Sequence, residues 1–222
     1  MKKMNKKDFI YRLYGRSRLR SKKNLDYNKS KLYIEKFSSH NLKTNANNIL
    51  DIGSGYGENA IFLANKSKES KIIACDNFFD GNLKIAKLIK EQDLKNLYIF
   101  NGNVHEFLDN LEEKSYFNSV WILFPDPWPK KKHFKRRLIN KSFFNKISKF
   151  LKKTADLNIV TDSKSYLKEI LFLTFQIKKH YIWENQNKFD WDYINSAQVE
   201  TKYFKKAIKN GANPFFIKLR KL

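Results

Sequence analysis

The sequence has little cysteine, glycine and proline, and few acidic residues. The one cysteine in 222 residues, Cys75, excludes an internal disulfide and a zinc site built from several cysteines. The four histidines are too scattered for a metal site. The longest apolar runs, such as residues 170–175, are far shorter than the ~20 residues of a membrane-spanning helix. We therefore expect a soluble, cytoplasmic protein that uses no metal and no membrane.

The few glycines and prolines are concentrated in two short windows. Three of the seven glycines are Gly53, Gly55 and Gly57, and three of the four prolines lie within residues 125–129. Glycine widens the range of backbone conformations, and proline narrows it. These two windows are therefore the first places to search for a functional site.

Acidic residues are scarce relative to basic ones, since 45 Lys and Arg oppose 22 Asp and Glu and give a net charge of +23. Such a field attracts polyanions, although a bias of the whole genome toward lysine would raise the charge as well. The arginines are less easily explained by bias. Six of the seven lie near the N-terminus or after the prolines, at Arg12, Arg16, Arg18, Arg20, Arg136 and Arg137.

No acidic residue occurs between Pro127 and Ala155, where lysines and arginines are frequent. Part of this stretch is the solvated face of a helix. Basic residues beside Trp128, His133 and Phe134 are also typical of a surface that binds RNA, because cations contact phosphates and aromatic rings stack on bases.

Apolar runs alternate with helical patterns along most of the chain. Strands are predicted at residues 48–52, 71–75, 97–100, 119–124 and 157–160, with helices at 58–66, 79–92, 104–111, 141–151 and 163–178. Strands at 181–184 and 214–219 add an antiparallel pair at one edge. The pattern predicts an α/β protein with a Rossmann-like, doubly wound, mostly parallel seven-stranded sheet and helices on both faces. We expect residues 1–46 to form a basic N-terminal arm with a helix near 28–37, and residues 47–222 to form the domain.

The glycine window follows the first strand and opens a helix. Glycines at 53, 55 and 57 permit positive φ and let a ligand approach the main chain at the carboxyl end of the strand. Asp51 precedes this turn, and Asp76, followed by Asn77, ends the second strand, where a carboxylate can accept hydrogen bonds from ribose hydroxyls. After the third strand, Asn103 can bond an adenine and Val104 can donate its backbone N–H.

These features are shared by enzymes that bind NAD and enzymes that bind S-adenosylmethionine. The Gly-x-Gly-x-Gly spacing and an acid two residues before the first glycine favour S-adenosylmethionine, whose ammonium group needs acceptors and which brings no pyrophosphate.

The proline window, Phe124-Pro-Asp-Pro-Trp-Pro-Lys130, ends the fourth strand. Prolines on both sides of Asp126 restrict the backbone there, and so fix the direction of its carboxylate. They also remove neighbouring N–H donors. Trp128 adds a flat surface and Lys130 a cation. A structural turn with an incidental acid is the simpler alternative.

With Phe-Pro-Asp-Pro-Trp-x-Lys followed by Lys-Arg-Arg, the sequence resembles the bacterial tRNA (guanine-N7-)-methyltransferase family. The resemblance extends from about residue 11 to the C-terminus and includes Leu-Asp-Ile-Gly-Ser-Gly-Tyr-Gly, Thr161-Asp162 and Glu200-Thr-Lys-Tyr. It implies methyl transfer from S-adenosylmethionine to N7 of a guanine in the tRNA variable loop, by a monomer or weak homodimer.

Matched position by position, the resemblance assigns roles to residues of this chain. It puts cofactor contacts at Asp51, Asp76, Asn103 and Asp126, and substrate contacts at Lys130, Asp162, Thr201, Lys202 and Tyr203. Asp126 is the catalytic candidate, and it could accept hydrogen bonds from the guanine or from the cofactor's ammonium. Arg136 and Arg137 are expected to contact phosphates. Asp51 and Asp76 stand where glutamate is common, Asn103 where aspartate is common, and Phe204 replaces a glutamate.

Other functions are compatible with parts of this pattern. An NAD-dependent oxidoreductase shares the glycine turn and Asp76, and a non-catalytic RNA-binding protein could keep the fold. A methyltransferase acting on another base could also use an acidic, proline-rich motif after the fourth strand.

Overall fold

The computed structural model describes residues 42–192 and 199–222, where strands and helices alternate. The strands are β1 (Asn48–Ile52), β2 (Lys71–Asp76), β3 (Leu97–Asn101), β4 (Phe117–Leu123), β5 (Leu151–Thr161), β6 (Tyr181–Trp183) and β7 (Phe215–Lys221). The helices are α1 (Glu58–Lys66), α2 (Phe79–Glu91), α3 (Val104–Asp109), α4 (Lys141–Ser148), α5 (Lys164–Gln176) and α6 (Lys202–Lys209). Short 3-10 helices cover Lys131–Arg136 and Lys188–Trp191.

The described strands form a seven-stranded sheet in the order β3-β2-β1-β4-β5-β7-β6. β1 to β5 are parallel, β7 is antiparallel to β5, and β6 is antiparallel to β7. All residues of the central strand β1 are buried, as expected when both faces of a parallel sheet are covered. The predicted doubly wound sheet, with an antiparallel pair of strands at one side, is confirmed. The carboxyl ends of the parallel strands β1 to β5 lie along one line, which is called the sheet edge.

Helices cover both faces of the sheet. On one face, α3, α4 and α5 contribute Phe107, Phe143 and Tyr166 to a cluster that includes the side chains of β1 directed to that side. On the other face, α1 and α2 contribute Leu63 and Ile85 to a second cluster. Burial of these residues stabilises the packing of the helices on the sheet by about 25 cal/mol per Å² of apolar surface removed from water. This packing fixes the positions of the strand ends.

The main difference from the predicted elements lies between α4 and β5. The helix predicted to continue to residue 151 ends at Ser148, and β5 begins at Leu151. Phe150 and Leu151 are buried, and Thr154 has a φ of 64° where the pairing of β5 with β4 changes register. The apolar residues that suggest another helical turn therefore pack as the start of an irregular strand.

The sequence patterns did not predict α6, because only Phe204 and Ala207 of its eight residues are buried. The helix predicted at 28–37 lies outside the described residues, as does most of the predicted arm, 1–46. Among the helices that the structure describes, none has both the length and the apolar character to cross a membrane.

Candidate active site

The glycine turn (residues 53–57) connects β1 to α1 in a left-handed conformation. Gly53, Gly55 and Gly57 have φ values of 74°, 55° and 85°, which residues with a Cβ rarely adopt. The Gly53 N–H donates to the carbonyl of Cys75 at 2.8 Å, so the start of the turn is fixed to β2. A Cβ at Gly53 would meet no atom within 4 Å, which leaves open space beside the main chain.

Gly81, in the first turns of α2, packs against the glycine turn and was not singled out from the sequence. A Cβ on Gly81 would lie 2.0 Å from the carbonyl oxygen of Gly55. The backbone of α2 can therefore approach the turn only if residue 81 lacks a side chain. The signal in the sequence is a glycine near the start of the helical pattern that follows the second strand.

Asp51 is buried beneath the glycine turn. Its Oδ1 accepts a hydrogen bond from Asn59 Nδ2 at 3.0 Å, while its Oδ2 has no hydrogen-bond partner among the described residues. Burial raises the pKa of Asp51 to about 7, with smaller contributions from the hydrogen bond to Asn59, which lowers it, and from the charges of Asp76 and Glu58, which raise it. A buried acceptor of this kind is suited to a cationic donor.

Asp76, at the end of β2, holds the glycine turn by hydrogen bonds, in addition to its predicted role in binding a ribose. Its Oδ2 accepts from the Gly55 N–H at 2.8 Å, and its Oδ1 accepts from the Phe78 N–H at 2.9 Å. Burial raises the pKa of Asp76, and these backbone hydrogen bonds oppose that shift. Each carboxylate oxygen can accept a further bond, so Asp76 can bind a ribose while it holds the turn. Asn77, which follows it, is half-buried.

The ends of β2 and β3 are joined by Asn82, a second residue that the sequence patterns did not indicate. Its Nδ2 donates to the Asp76 carbonyl and to Asn101 Oδ1, both at 2.8 Å. Asn103 caps α3, with Oδ1 accepting from the His105 N–H at 2.7 Å, and Val104 is buried at the first position of that helix. These residues place Asn103 at the same sheet edge as the glycine turn.

The residues at this edge fit S-adenosylmethionine. Besides Asp51 Oδ2, the buried Ser54 Oγ has no hydrogen-bond partner within residues 42–192 and 199–222. Two buried polar atoms and the open space at Gly53 offer acceptors and room for a cationic ligand. The described residues contain no group of three or more His, Cys, Asp or Glu side chains arranged to hold a metal.

The proline loop (residues 124–130) follows β4 at the same sheet edge. Phe124 and Trp128 have φ values of 51° and 40°, so residues with large side chains adopt left-handed conformations on both sides of Asp126. The Phe124 N–H donates to the Val160 carbonyl at 2.9 Å, which fixes the start of the loop to β5. Asp126 and Lys130 are both exposed.

The two arginines after the proline loop have different environments. The guanidinium of Arg136 lies 4.9 Å from the centre of the Trp128 ring, and this residue is only partly buried. Arg137 is buried, with its Nε donating to the Pro127 carbonyl at 2.8 Å and its Nη1 paired with Glu169. The expectation that Arg137 contacts phosphates is therefore wrong, because its charge is enclosed and neutralised inside the protein.

The segment 201–203 contacts both the glycine turn and the proline loop. Thr201 is buried and caps α6, its Oγ1 accepting from the Phe204 N–H at 3.1 Å. Lys202 Nζ lies 4.6 Å from the centre of the Tyr56 ring in the glycine turn. The Tyr203 ring stacks on Phe124 with 6.5 Å between ring centres. The structure thus brings the predicted substrate segment against both windows.

Phe204 has a packing role at the position where the resemblance led us to expect a glutamate. It is buried with Val160 and Phe216, against Trp121 and Phe124. In this chain position 204 therefore anchors α6 to the sheet. Asp162, in contrast, is exposed at the end of β5, on the same edge as Asp126.

Comparisons with known proteins identify the family. A family model described as "Putative methyltransferase" matches residues 45–217. A tRNA (guanine-N(7)-)-methyltransferase of Neorickettsia sennetsu is 33% identical over 174 residues, which cover 76% of each protein. The enzyme of the same name from Wolbachia pipientis wMel is 30% identical, with 84% of each chain covered.

The fold is also that of solved methyltransferases. The 16S rRNA methyltransferase KamB superposes with a TM-score of 0.57 over 88% of this chain and 92% of its own, at 12% identity. Such a distant likeness supports the fold alone. Because the curated relatives are similar along most of both chains, as the motif around Asp126 predicts, this protein belongs to the tRNA (guanine-N(7)-)-methyltransferase family.

Proposed function

We propose that this protein transfers a methyl group from S-adenosylmethionine to N7 of a guanine in the variable loop of tRNA. The observation that carries the proposal is the sheet edge itself. The buried acceptors at Asp51 and Ser54 and the exposed Asp126 of the proline loop lie at the ends of neighbouring strands. Such an edge can present a cofactor and a base to each other.

The glycine-turn side of the edge would hold the cofactor. Asp51 Oδ2 is the acceptor for the ammonium group, and Asp76 is the acceptor for the ribose hydroxyls. Asn103 and Val104 lie at the end of β3, where the adenine would be contacted. When bound, S-adenosylmethionine supplies an electrophilic methyl group on a sulfonium.

Asp126 would act on the target base. Guanine N7 already carries an in-plane lone pair, so attack requires no prior deprotonation. The exposed carboxylate of Asp126 can accept hydrogen bonds from guanine N1–H and N2–H and stabilise the positive charge that develops on the purine. Alignment of the reacting groups supplies the larger part of the catalysis, up to ~7–11 kcal/mol in favourable systems.

Binding of the tRNA backbone would depend on basic residues around the proline loop. Lys130 and the partly exposed Arg136 lie beside Trp128, within the stretch that lacks acidic residues. Lys202 and Tyr203 extend this surface, and Asp162 can orient the base or Lys130. The arm, 1–46, adds Arg12, Arg16, Arg18 and Arg20. With tRNA as substrate, the protein would act in the cytoplasm as a monomer or weak homodimer.

The experiment that tests the proposal identifies the product nucleoside. Purified protein is incubated with methyl-labelled S-adenosylmethionine and an unmodified tRNA transcript, and the digested RNA is separated into nucleosides. We expect 7-methylguanosine, placed in the variable loop by cleavage specific for that base. The matched control is the same tRNA with 7-deazaguanine at that position, which lacks N7 and should accept no label.

Two results would contradict the proposal. A different methylated nucleoside would indicate action on another base. The absence of label, together with retained tRNA binding, would indicate a non-catalytic RNA-binding protein.

A further inference from the structure

We propose that Arg137 is a positioning residue for methyl transfer, which holds the proline loop in the conformation that presents Asp126. The inference rests on the proposed function, because it assigns Arg137 a part in the same reaction. It replaces the phosphate contact that the Lys-Arg-Arg run suggests.

The guanidinium of Arg137 is used entirely inside the protein. The side chain has 0% exposure. Its Nε donates to the Pro127 carbonyl at 2.8 Å, its Nη2 donates to Ser165 Oγ at 2.9 Å, and its Nη1 pairs with the Glu169 carboxylate. Each of the three nitrogens therefore has a partner, and one of these partners is the residue next to Asp126.

Aromatic rings fix the plane of this guanidinium. Its central carbon lies 3.7 Å from the centre of the Phe134 ring and 4.7 Å from the centre of the Tyr166 ring. The Tyr166 hydroxyl in turn accepts from the Ile139 N–H at 2.8 Å. A planar cation packed against two rings, with directed donors on its edge, defines the position of the Pro127 carbonyl more sharply than a flexible ammonium would.

The proline loop needs such a tether. Phe124 and Trp128 adopt φ values of 51° and 40°, which persist only where the surrounding structure enforces them. Pro125, Pro127 and Pro129 have no N–H, so the loop cannot be held by donating hydrogen bonds from these residues. The hydrogen bond from Arg137 to the Pro127 carbonyl supplies a restraint from outside the loop.

The same tether connects two acids of the proposed site. Ser165 and Glu169 belong to α5, which begins two residues after Asp162. Arg137 therefore links the loop that carries Asp126 to the helix that follows Asp162. We infer that it sets the spacing of these two carboxylates around the bound guanine.

The test compares Arg137→Lys with Ser165→Ala, which removes one of the hydrogen-bond partners of Arg137 and leaves the arginine in place. Single-turnover methyl transfer, tRNA affinity with its salt dependence, and affinity for S-adenosylhomocysteine are measured on the full chain. We expect Arg137→Lys to lower the single-turnover rate by about tenfold to a hundredfold, and Ser165→Ala to lower it less. Both affinities and the salt slope should stay within about twofold of the original protein.

A second readout is independent of activity. The indole N–H resonance of Trp128, assigned by comparison with Trp128→Phe, reports the loop conformation by NMR. It should shift or broaden in Arg137→Lys, while the resonances of Trp183 and Trp191 stay in place. The control is Arg220→Lys, which alters an arginine paired with Asp156, in the middle of β5, and with Glu184, and which should change neither the rate nor the Trp128 signal.

The outcomes separate the inference from the proposed function. An unchanged rate and Trp128 signal in Arg137→Lys, or a reduced salt slope for tRNA binding, would overturn the positioning role. If Arg137→Lys fails to fold, an unchanged rate and Trp128 signal in Ser165→Ala would overturn it. If the original protein methylates no tRNA, the proposed function fails, and the Trp128 signal still decides whether Arg137 holds the loop.

Discussion

The glycine turn and the proline loop both follow a parallel strand at the same sheet edge, but they are built in opposite ways. In the glycine turn, missing side chains allow close approach, so that the Gly55 N–H reaches Asp76 and its carbonyl lies against Gly81. In the proline loop, residues with large side chains hold left-handed conformations, and hydrogen bonds with Arg137 and with the Val160 carbonyl restrain the loop from outside. Close packing thus shapes one region, and contacts from outside the loop shape the other.

This difference suggests how the two regions divide the work. The acceptors at the glycine turn are buried and suited to a small cationic ligand, whereas Asp126 is exposed and accessible to a macromolecule. We therefore expect substitutions at the glycine turn to weaken cofactor binding and substitutions in the proline loop to slow methyl transfer.

The largest effect is expected for Asp126→Asn. Loss of a charge placed where the transition state becomes positive should lower the single-turnover rate by about 10²–10³-fold, with tRNA binding largely kept. Rapid-quench assays at saturating tRNA and cofactor measure this rate. Glu113→Gln, an exposed carboxylate before β4 that pairs with Lys149, is the control and should retain full activity. A normal rate in Asp126→Asn would remove Asp126 from catalysis.

Gly81→Ala should disrupt the glycine turn from the side of α2. Because its Cβ would lie 2.0 Å from the Gly55 carbonyl oxygen, the turn or α2 must move. We expect a loss of about 3 kcal/mol in the free energy of unfolding and an affinity for S-adenosylhomocysteine reduced by about a hundredfold. Denaturant unfolding and calorimetry measure the two effects.

Gly211→Ala is the matched control for that substitution. Gly211 has a positive φ of 70°, as the glycines of the glycine turn do, but its Cβ would meet no atom within 4 Å. It should cost about 1 kcal/mol of stability and leave cofactor affinity unchanged. If both glycine variants bind S-adenosylhomocysteine equally well, close packing does not shape the cofactor site.

The pH dependence of cofactor binding should report Asp51. Burial raises its pKa to about 7 in the free protein, whereas a bound ammonium favours the ionised carboxylate. Binding below pH 7 must therefore release a proton, and the affinity for S-adenosylhomocysteine should fall by about tenfold between pH 8 and pH 6. Asp51→Asn should bind weakly with little of this dependence. Calorimetry in buffers of different ionisation enthalpy checks the released proton, and a pH-independent affinity would contradict the assignment.

The smallest effect is expected for Arg136→Gln. With Arg137 buried, Arg136 is the partly exposed arginine of this pair, and we expect it to contact phosphate. Removing one phosphate contact should weaken tRNA binding a few-fold and reduce the slope of log affinity against log salt by about 1. Filter binding over a range of salt concentrations measures this slope. An unchanged slope would place Arg136 in loop packing against Trp128 instead.

Much of the fold could be predicted from the sequence, because local patterns encode it. Both β1 and α1 have the predicted bounds, since a buried apolar strand, a glycine turn and an amphipathic helix are local features. Family membership was likewise contained in a local motif around Asp126. Here the structure agreed with the patterns because no distant contact overrides them.

The remaining features depend on contacts between distant parts of the chain. A Lys-Arg-Arg run looks like a solvated surface, and only the approach of Ser165 and Glu169 shows that Arg137 is buried. Gly81 gains its importance from Gly55, and Phe204 from Val160 and Phe216. Such partners cannot be identified until the sheet has brought the segments together.

The most direct test of the division between the two regions is calorimetric titration of S-adenosylhomocysteine into Asp51→Asn and Asp126→Asn, side by side. The account predicts that Asp51→Asn loses about a hundredfold in affinity, equivalent to ~2.7 kcal/mol, while Asp126→Asn stays within about twofold of the original protein. Equal losses in the two variants, or a larger loss in Asp126→Asn, would contradict it.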